Sequence, residues 1–381
     1  MIKIALGMIV NNEAHCIERC LDSVKPIIDC VIINDNGSTD GTQDKIHAWG
    51  QKNDIDTITL NDPWVSFDVN RSLVLKSIYA LQDIDYVLMI DADEVLVFEA
   101  GYNPEKIKES LVCDLYDIES RLGGTSYLRP QLSSNKRKFK YSGVVHEFIV
   151  AEEEVRSRGT VKGLFNMPIQ DSARNKDPDK FLKDAQALEK AFNETTDPFL
   201  KSRYCFYTGQ CYKDAGRNAL AIAWYLRRVD LGWWDEEKYM ALLNAGRLQK
   251  GFPDVYSKDA CIVTFCKAIE YSKNRAEALC EIMILLREMG CWSSAYYFGV
   301  QALQKTKIDS ALFLEHWIYD YVVPFEMSII CWYAGDKTLG YTLTKSLIEN
   351  TKIPQNIRDQ SKENLKHYEP STTPTAMSGG S

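Results

Sequence analysis

The sequence predicts an α/β domain followed by an all-α domain, and three observations carry that prediction. Over residues 1–170, short β-rich runs alternate with amphipathic helical stretches, the pattern of a layered sheet flanked by helices. From about Asp177 onward the helical period is almost unbroken, with Gly and Pro serving as punctuation between helices. Between these regimes the apolar run Tyr86–Ile90 stops abruptly at Asp91-Ala92-Asp93-Glu94, which reads as a strand ending in carboxylates. The expected organisation is therefore an α/β domain at 1–170, a helical domain at 177–368 and a tail at 369–381. The tail is rich in Ser, Thr, Pro and Gly, has no apolar pattern and is expected to be disordered.

Strands are expected at Lys3–Val10, Cys30–Asn34, Asp56–Leu60, Tyr86–Ile90 and Ser126–Leu128. Helices fill the gaps. His15–Val24 places Ile17, Leu21 and Val24 on one stripe, Thr42–Gly50 starts after the Asp40-Gly41 signal, and Val69–Leu81 repeats apolar residues at helical spacing. In the second domain Ser202–Val229 reads as two antiparallel helices, with Gly209, Tyr212, Ala221 and Tyr225 at small and aromatic contact positions. Echoes follow at Tyr239–Lys250, which contains Gly246, and at Ala276–Met289, in steps of roughly 37 residues. A stacked helical array and an irregular bundle both fit this pattern.

The chain has 381 residues, 45% hydrophobic and 26% charged, enough for two buried cores. A net charge of −8 argues against a nucleic-acid surface, which needs clustered cations. The one basic cluster, Lys136–Lys140, either steers an anionic nucleotide or forms a solvated hairpin turn. The apolar N-terminal stretch is too short to span a bilayer, so neither a signal peptide nor a membrane anchor is expected. Eleven cysteines without CxxC pairs, among them Cys205, Cys211 and Cys280 in apolar helical patterns, read as buried free thiols. That usage fits a reducing, cytoplasmic location, and the five histidines do not pair with cysteines as a zinc site would require.

Open α/β sheets bind ligands beyond the carboxyl ends of their strands, and three such ends are polar here. Alternation along a strand would turn Asp91 and Asp93 to one side, where two carboxylates share a cation such as Mg²⁺ or Mn²⁺, itself bridged to phosphates. The first strand runs into Asn11-Asn12-Glu13. The second runs into Asp35-Asn36-Gly37-Ser38-Thr39-Asp40-Gly41-Thr42. Asp35 could accept from a base ring N–H, with Asn11 or Glu13 closing over the base or ribose, although Asn36-Gly37 alone would read as a plain turn.

Taken in order, these three segments resemble the family 2 glycosyltransferases of the GT-A fold: Asn-Glu after the first strand, Asp-x-Gly-Ser-Thr-Asp-Gly-Thr after the second, and a DXD motif at Asp91-Ala92-Asp93. The resemblance implies Asp93 as metal ligand and Asp91 near the ribose or metal. Asp62–Arg71 resembles a Trp…Phe…Asn/Arg stretch in the members fused to tetratricopeptide helices, which implies Arg71 near the diphosphate or donor sugar. Tyr141–Glu147 resembles the Gly-x-Val-His-Glu segment of the same members and makes His146 the second candidate metal ligand. Glu147 is the first candidate for catalytic base and Glu94 the second. Strand alternation would turn Glu147 away from His146, so a bend is expected there or their roles must differ. Ser202–Val229 resembles one tetratricopeptide unit, extending the resemblance over about 177–251.

What the resemblance implies is a metal-dependent hexosyltransferase with Mn²⁺ or Mg²⁺ and a nucleoside diphosphate sugar, UDP-glucose or UDP-N-acetylglucosamine at family level. Inversion at the anomeric carbon is likewise implied by the family. The Glu-Asp dipeptide that supplies the base in many processive members is absent. The helices would hold a protein or glycan acceptor, or build a homo-oligomer interface; under the acceptor reading, deleting them leaves donor hydrolysis intact. Two other classes compete. One is a non-catalytic helical-repeat scaffold carrying a relic nucleotide fold, which predicts no turnover. The other is a nucleotidyltransferase, which would want a Gly-rich phosphate loop with a cation after the first strand, and Gly7–Glu13 lacks one.

Overall fold

Parallel pairing of the first four strands brings three polar loops to one edge of a sheet. The computed structural model describes residues 2–308 and 311–368, so the expected tail at 369–381 lies outside the described residues. β1 (Ile4–Val10), α1 (Ile17–Val24), β2 (Cys30–Asp35), α2 (Thr42–Asn53), β3 (Asp56–Leu60), α3 (Phe67–Ile78) and β4 (Tyr86–Met89) alternate along the chain. The strands lie side by side in the order β3-β2-β1-β4, all parallel, with Val10 beside Asp35 and Gly7 beside Met89. Their carboxyl ends therefore share one edge, where the polar segments after β1, β2 and β4 converge.

Alternation along β1 and β2 fixes which face is which. Leu6, Met8, Val31 and Ile33 pack with Ile17, Leu21 and Ile46 on the α1–α2 side, whereas Ala5, Ile32 and Met89 meet Val74 and Ile78 of α3. Burying one Leu, Ile, Val or Met side chain in this way contributes roughly 1.5–3 kcal/mol. A one-residue register slip would exchange the two faces, so the register is strongly specified. At Gly7 a Cβ would lie 2.4 Å from Met89 Sδ and 3.0 Å from Val74, so glycine is what lets α3 lie this close.

The sheet continues with β5 (Glu94–Phe98), β6 (Leu115–Leu122), β7 (Thr125–Ser134), β10 (Arg158–Thr160) and β11 (Leu164–Pro168), in the order β4-β7-β6-β11-β5 with β10 along β6. A short helix, α4 (Pro104–Glu109), follows β5, and β8 (Phe139–Ser142) pairs with β9 (Phe148–Ala151) as a separate hairpin. The sequence places only Ser126–Leu128 in this half. β7 in fact runs on past Pro130, where the register with β6 shifts between Tyr116 and Asp117; an irregular position of this kind is where a strand tolerates a residue without an N–H.

The remaining helices are α5 (Lys180–Glu194), α6 (Pro198–Asp214), α7 (Asn218–Val229), α8 (Asp235–Gln249), α9 (Lys258–Tyr271), α10 (Glu277–Glu288), α11 (Trp292–Leu303), α12 (Val323–Ala334), α13 (Lys337–Glu349) and α14 (Gln355–Tyr368). α6 starts on a cap in which Asp197 accepts from the Phe199 and Leu200 N–H groups, with Pro198 in the first turn. A Cβ at Gly209 would stand 2.9 Å from the Tyr225 ring, so the small position lets α6 approach α7. Gly246 stands in the same relation to Phe265, at 2.5 Å.

By packing, the chain divides inside α8: one compact unit runs through Ala241 and includes the later residues 311–314, and the second begins at Leu242 and resumes at Glu315. α5–α7 thus pack in the unit that contains the sheet, although secondary structure changes from mixed to helical near residue 177. The cysteines are free thiols, with Cys205, Cys211 and Cys280 buried and Cys291 exposed. Among the described residues no helix is long and apolar enough to cross a membrane.

Candidate active site

The loops after β1 and β2 are stitched to each other. Asn11 Nδ2 donates to the Asn36 carbonyl at 2.8 Å, the Asn12 N–H to Ser38 Oγ at 2.8 Å, and the Thr39 N–H to Asn12 Oδ1 at 2.8 Å. Asn12 adopts φ +60 to make this exchange, a conformation Asn tolerates better than most residues. Asp35, 2% exposed, accepts from the Gly37 and Ser38 N–H groups at 3.0 and 2.7 Å through Oδ1 alone. Its Oδ2 is buried with no partner. A buried acceptor left unpaired costs about 1–3 kcal/mol, so this oxygen is poised to take a donor.

Glu13 is committed elsewhere. Its carboxylate accepts from the Ala173 N–H at 3.2 and 3.3 Å and from Cys16 Sγ at 3.2 Å, while its own N–H donates to Thr42 Oγ1 at 2.9 Å. Burial pushes its carboxyl up, partly offset by those two donors. It anchors the segment after β11.

Asp91 and Asp93 do not share a strand face as alternation would have it. β4 ends at Met89 and both residues lie beyond it, ahead of β5 in a turn where a period of two no longer applies. Asp91 is held by two arginines: Arg71 Nη2 donates to Oδ1, and Arg129 Nη2 lies 3.6 Å from Oδ2. Burial opposes its charge, but the two guanidinium groups hold its carboxyl below the ordinary value. Asp93 accepts from the Ser172 N–H and from Asn175 Nδ2, both at 3.3 Å and both on Oδ2, leaving Oδ1 without a bond.

Arg71, which helical patterning alone would put on an exposed face, is 6% exposed. Its Nε donates to Glu147 Oε1 at 2.5 Å, so one guanidinium bridges the β4 end to the loop between β8 and β9. Burial works against its charge, yet Asp91 and Glu147 raise its pKa further still. Glu94 is buried behind the turn, bonded to Arg129 Nη1 and to the Asp91 N–H at 3.1 Å. Burial pushes its carboxyl up, with Arg129 pulling it back. Those contacts make it a brace for the Asp91 turn.

The loop carrying His146 and Glu147 turns sharply, the first of the two alternatives that strand alternation left: Gly143 has φ +114 and His146 φ +55. The His146 ring stacks on Tyr207, centroids 4.1 Å apart and planes at 18°, with Nε2 3.6 Å from Cys211 Sγ. Although the residue stays open to solvent on one side, its ring is crowded by neighbouring atoms and then by the charges of Arg203, Arg174 and Lys180, which lower its pKa. The imidazole is therefore neutral at pH 7, the form that binds metals.

The expected metal pair, Asp93 with His146, is not part of any three-donor cluster. Among the described residues the His, Cys, Asp and Glu side chains that bring three ligand atoms within 4.8 Å of one another are Glu13, His15 and Cys16. Asp93 with its open Oδ1 does fit a hard cation that takes its other oxygens from phosphates and water. Sequence reading missed Arg129, which lies one residue beyond the expected strand Ser126–Leu128, and the donors Ser172 and Asn175 on Asp93. It also missed Arg203, Tyr207 and Cys211, whose spacing of four is the signal that places them on one helix face.

Residues 6–100 match the family model described as Glycosyl transferase family 2. A TPR repeat-containing protein of Synechococcus elongatus is 29% identical over 154 residues, 39% of this chain and 36% of its own length. An uncharacterized glycosyltransferase of Rickettsia felis is 26% identical over 299 residues, 77% of this chain and 97% of its own. Among solved structures, S. aureus TarS 1–349 aligns with 76% of this chain and 92% of its own at 12% identity and a TM-score of 0.31, too weak a likeness to guide any assignment. The chain thus spans about a third of the Synechococcus relative and nearly all of the Rickettsia one.

Proposed function

From the premise that the chain carries a family 2 glycosyltransferase domain followed by an all-helical region, we propose that it transfers a sugar from a nucleoside diphosphate donor, a UDP sugar, to a protein or glycan acceptor. The observation that carries this reading is the buried, unpartnered Oδ2 of Asp35 at the end of β2. An anionic acceptor there selects a base that offers a ring N–H. Uracil and guanine present one, whereas the ring nitrogens on the pairing edges of adenine and cytosine are acceptors. Asn11, fixed by its bond to Asn36, is available to the base or ribose.

Asp93 would hold Mn²⁺ or Mg²⁺, which supplies charge neutralisation for the departing diphosphate. Arg71 orients Glu147 and Asp91 from a buried position, so both carboxylates are preset before substrate arrives. Glu147, with Oε1 taken by Arg71 and no bond on Oε2, is the proposed base that removes the acceptor's proton. A base opposite the leaving group gives inversion. Glu94 is proposed to brace the turn. The region after residue 177 is proposed to contact the acceptor.

Titration calorimetry with UDP, GDP, ADP and CDP, each with Mn²⁺ or with EDTA, tests this directly. UDP is expected to bind most tightly and to depend on metal, and Asp35→Asn to weaken UDP about 10- to 100-fold, the loss of one hydrogen bond to a charged group. Equal affinity for ADP, or UDP binding unchanged by Asp35→Asn, would overturn the base assignment.

A further inference from the structure

One stripe of α6 touches the catalytic loop at every turn. Phe199, Arg203, Tyr207 and Cys211 are spaced by four and so share a helix face. Phe199 meets Phe148 edge-on with ring centroids 5.3 Å apart. Arg203 donates through Nε and Nη2 to the His146 carbonyl at 3.2 and 2.8 Å, while its guanidinium lies 4.7 Å from the ring centroids of both Phe148 and Tyr207. Tyr207 stacks on the His146 ring, and Cys211 Sγ closes on Nε2. The loop so gripped contains His146 in the left-handed region at φ +55, a conformation that persists only where surroundings enforce it.

We propose that α6 is a working part of the active site, with Arg203 as the positioning residue that sets the Val145–Glu147 turn and hence the Glu147–Arg71–Asp91 chain. This rests on the reading of Glu147 as a catalytic group. A planar fork that makes two bonds to one carbonyl while sandwiched between rings fixes both the position and the tilt of that peptide. A lysine could restore the charge but not the fork. The helices are on this account needed for turnover itself, so a chain cut before α6 lacks donor hydrolysis instead of retaining it.

The test uses the full chain with UDP-glucose and UDP-N-acetylglucosamine, following UDP release, UDP affinity by calorimetry, and amide exchange across Gly143–Phe148. Arg203→Lys is expected to lower kcat about 10- to 100-fold, the scale of a misplaced catalytic group, with UDP affinity unchanged because Asp35 is untouched, and to speed exchange in the loop. Arg227→Lys, which alters an arginine stacked on Phe192 and Trp224 away from this loop, is expected to behave as wild type. Should Arg203→Lys fail to fold, Tyr207→Leu is judged on the same three readouts. Loop exchange and kcat both equal to wild type would overturn the proposal. Faster loop exchange in Arg203→Lys, where the wild-type chain itself turns over neither donor, would uphold the clamp and sink the catalytic reading instead.

Discussion

Arg275 and Arg71 are both buried arginines bonded to carboxylates, yet only one of their networks is closed. In the second unit Arg275 and Glu277 are fully buried, joined at 2.7 and 3.1 Å, and the remaining capacity of Glu277 is taken up by the Tyr319 hydroxyl at 3.0 Å. Arg247 is likewise forked onto Glu315 at 2.6 and 2.7 Å and bonded to Glu281 at 2.6 Å. In the first unit Arg71 bridges Asp91 and Glu147, but Glu147 keeps an oxygen without a bond, Asp93 does the same, and Asp35 buries one with no donor. Burial and shifted acidity occur in both places. Under the proposed function, what separates the site network from the structural one is the unfilled bonding capacity of its carboxylates, not buried charge as such.

The two networks should differ most at the open one. Asp93→Asn and Glu147→Gln each remove an unfilled acceptor while keeping shape, and each is expected to lower sugar transfer about 10²- to 10³-fold with the folded state intact by circular dichroism. Retained turnover in Glu147→Gln would strip that residue of the base role. The closed network should respond in the opposite manner. Arg275→Met leaves a buried carboxylate without its cation and is expected to destabilise the second unit by about 3–5 kcal/mol in urea unfolding, with kcat per folded molecule unchanged. The double change Arg275→Met/Glu277→Leu removes both charges and should recover most of that loss. A fall in kcat for the single variant at full folding would erase the distinction between the two networks.

How much of this was legible in the sequence depends on the range of the contacts. The strand ends at Asn11, Asp35 and Asp91 were legible because each closes a mainly apolar run, and parallel order then forces them to one edge. The direction of Asp91 and Asp93 was not, because the strand stops two residues before Asp91 and the turn sets the side chains. Glu94 looked catalytic because it adjoins the motif; its pairing with Arg129, 35 positions away, is set by β7 lying against β4. Arg71 is the sharpest case. Helical patterning would expose it, yet the β8–β9 hairpin packs against α3 and buries it, a long-range consequence no window of local sequence contains. The α6 stripe was written in plain spacing, but its target loop lies over fifty residues upstream, and nothing in either segment alone pairs them.

The smallest expected effect is one of pH, and it sharpens the contrast from the closed side. Burial opposes ionisation of Glu277, but Arg275 more than compensates and holds its carboxyl below the ordinary 4.5. Because the folded value is depressed, the pair's contribution to stability is complete above the unfolded value and drains away as pH falls through the folded one. Acid should therefore weaken the wild-type chain more steeply than the Arg275→Met/Glu277→Leu variant once pH drops below about 4.5, and leave their difference constant above it. A wild-type chain that instead gains stability over the variant as pH falls from about pH 6 to pH 3, measured by urea midpoint, would mean that Glu277 is neutral in the folded state. The closed network would then be held by hydrogen bonds to a protonated carboxyl, and charge pairing would no longer be what it has in common with Arg71.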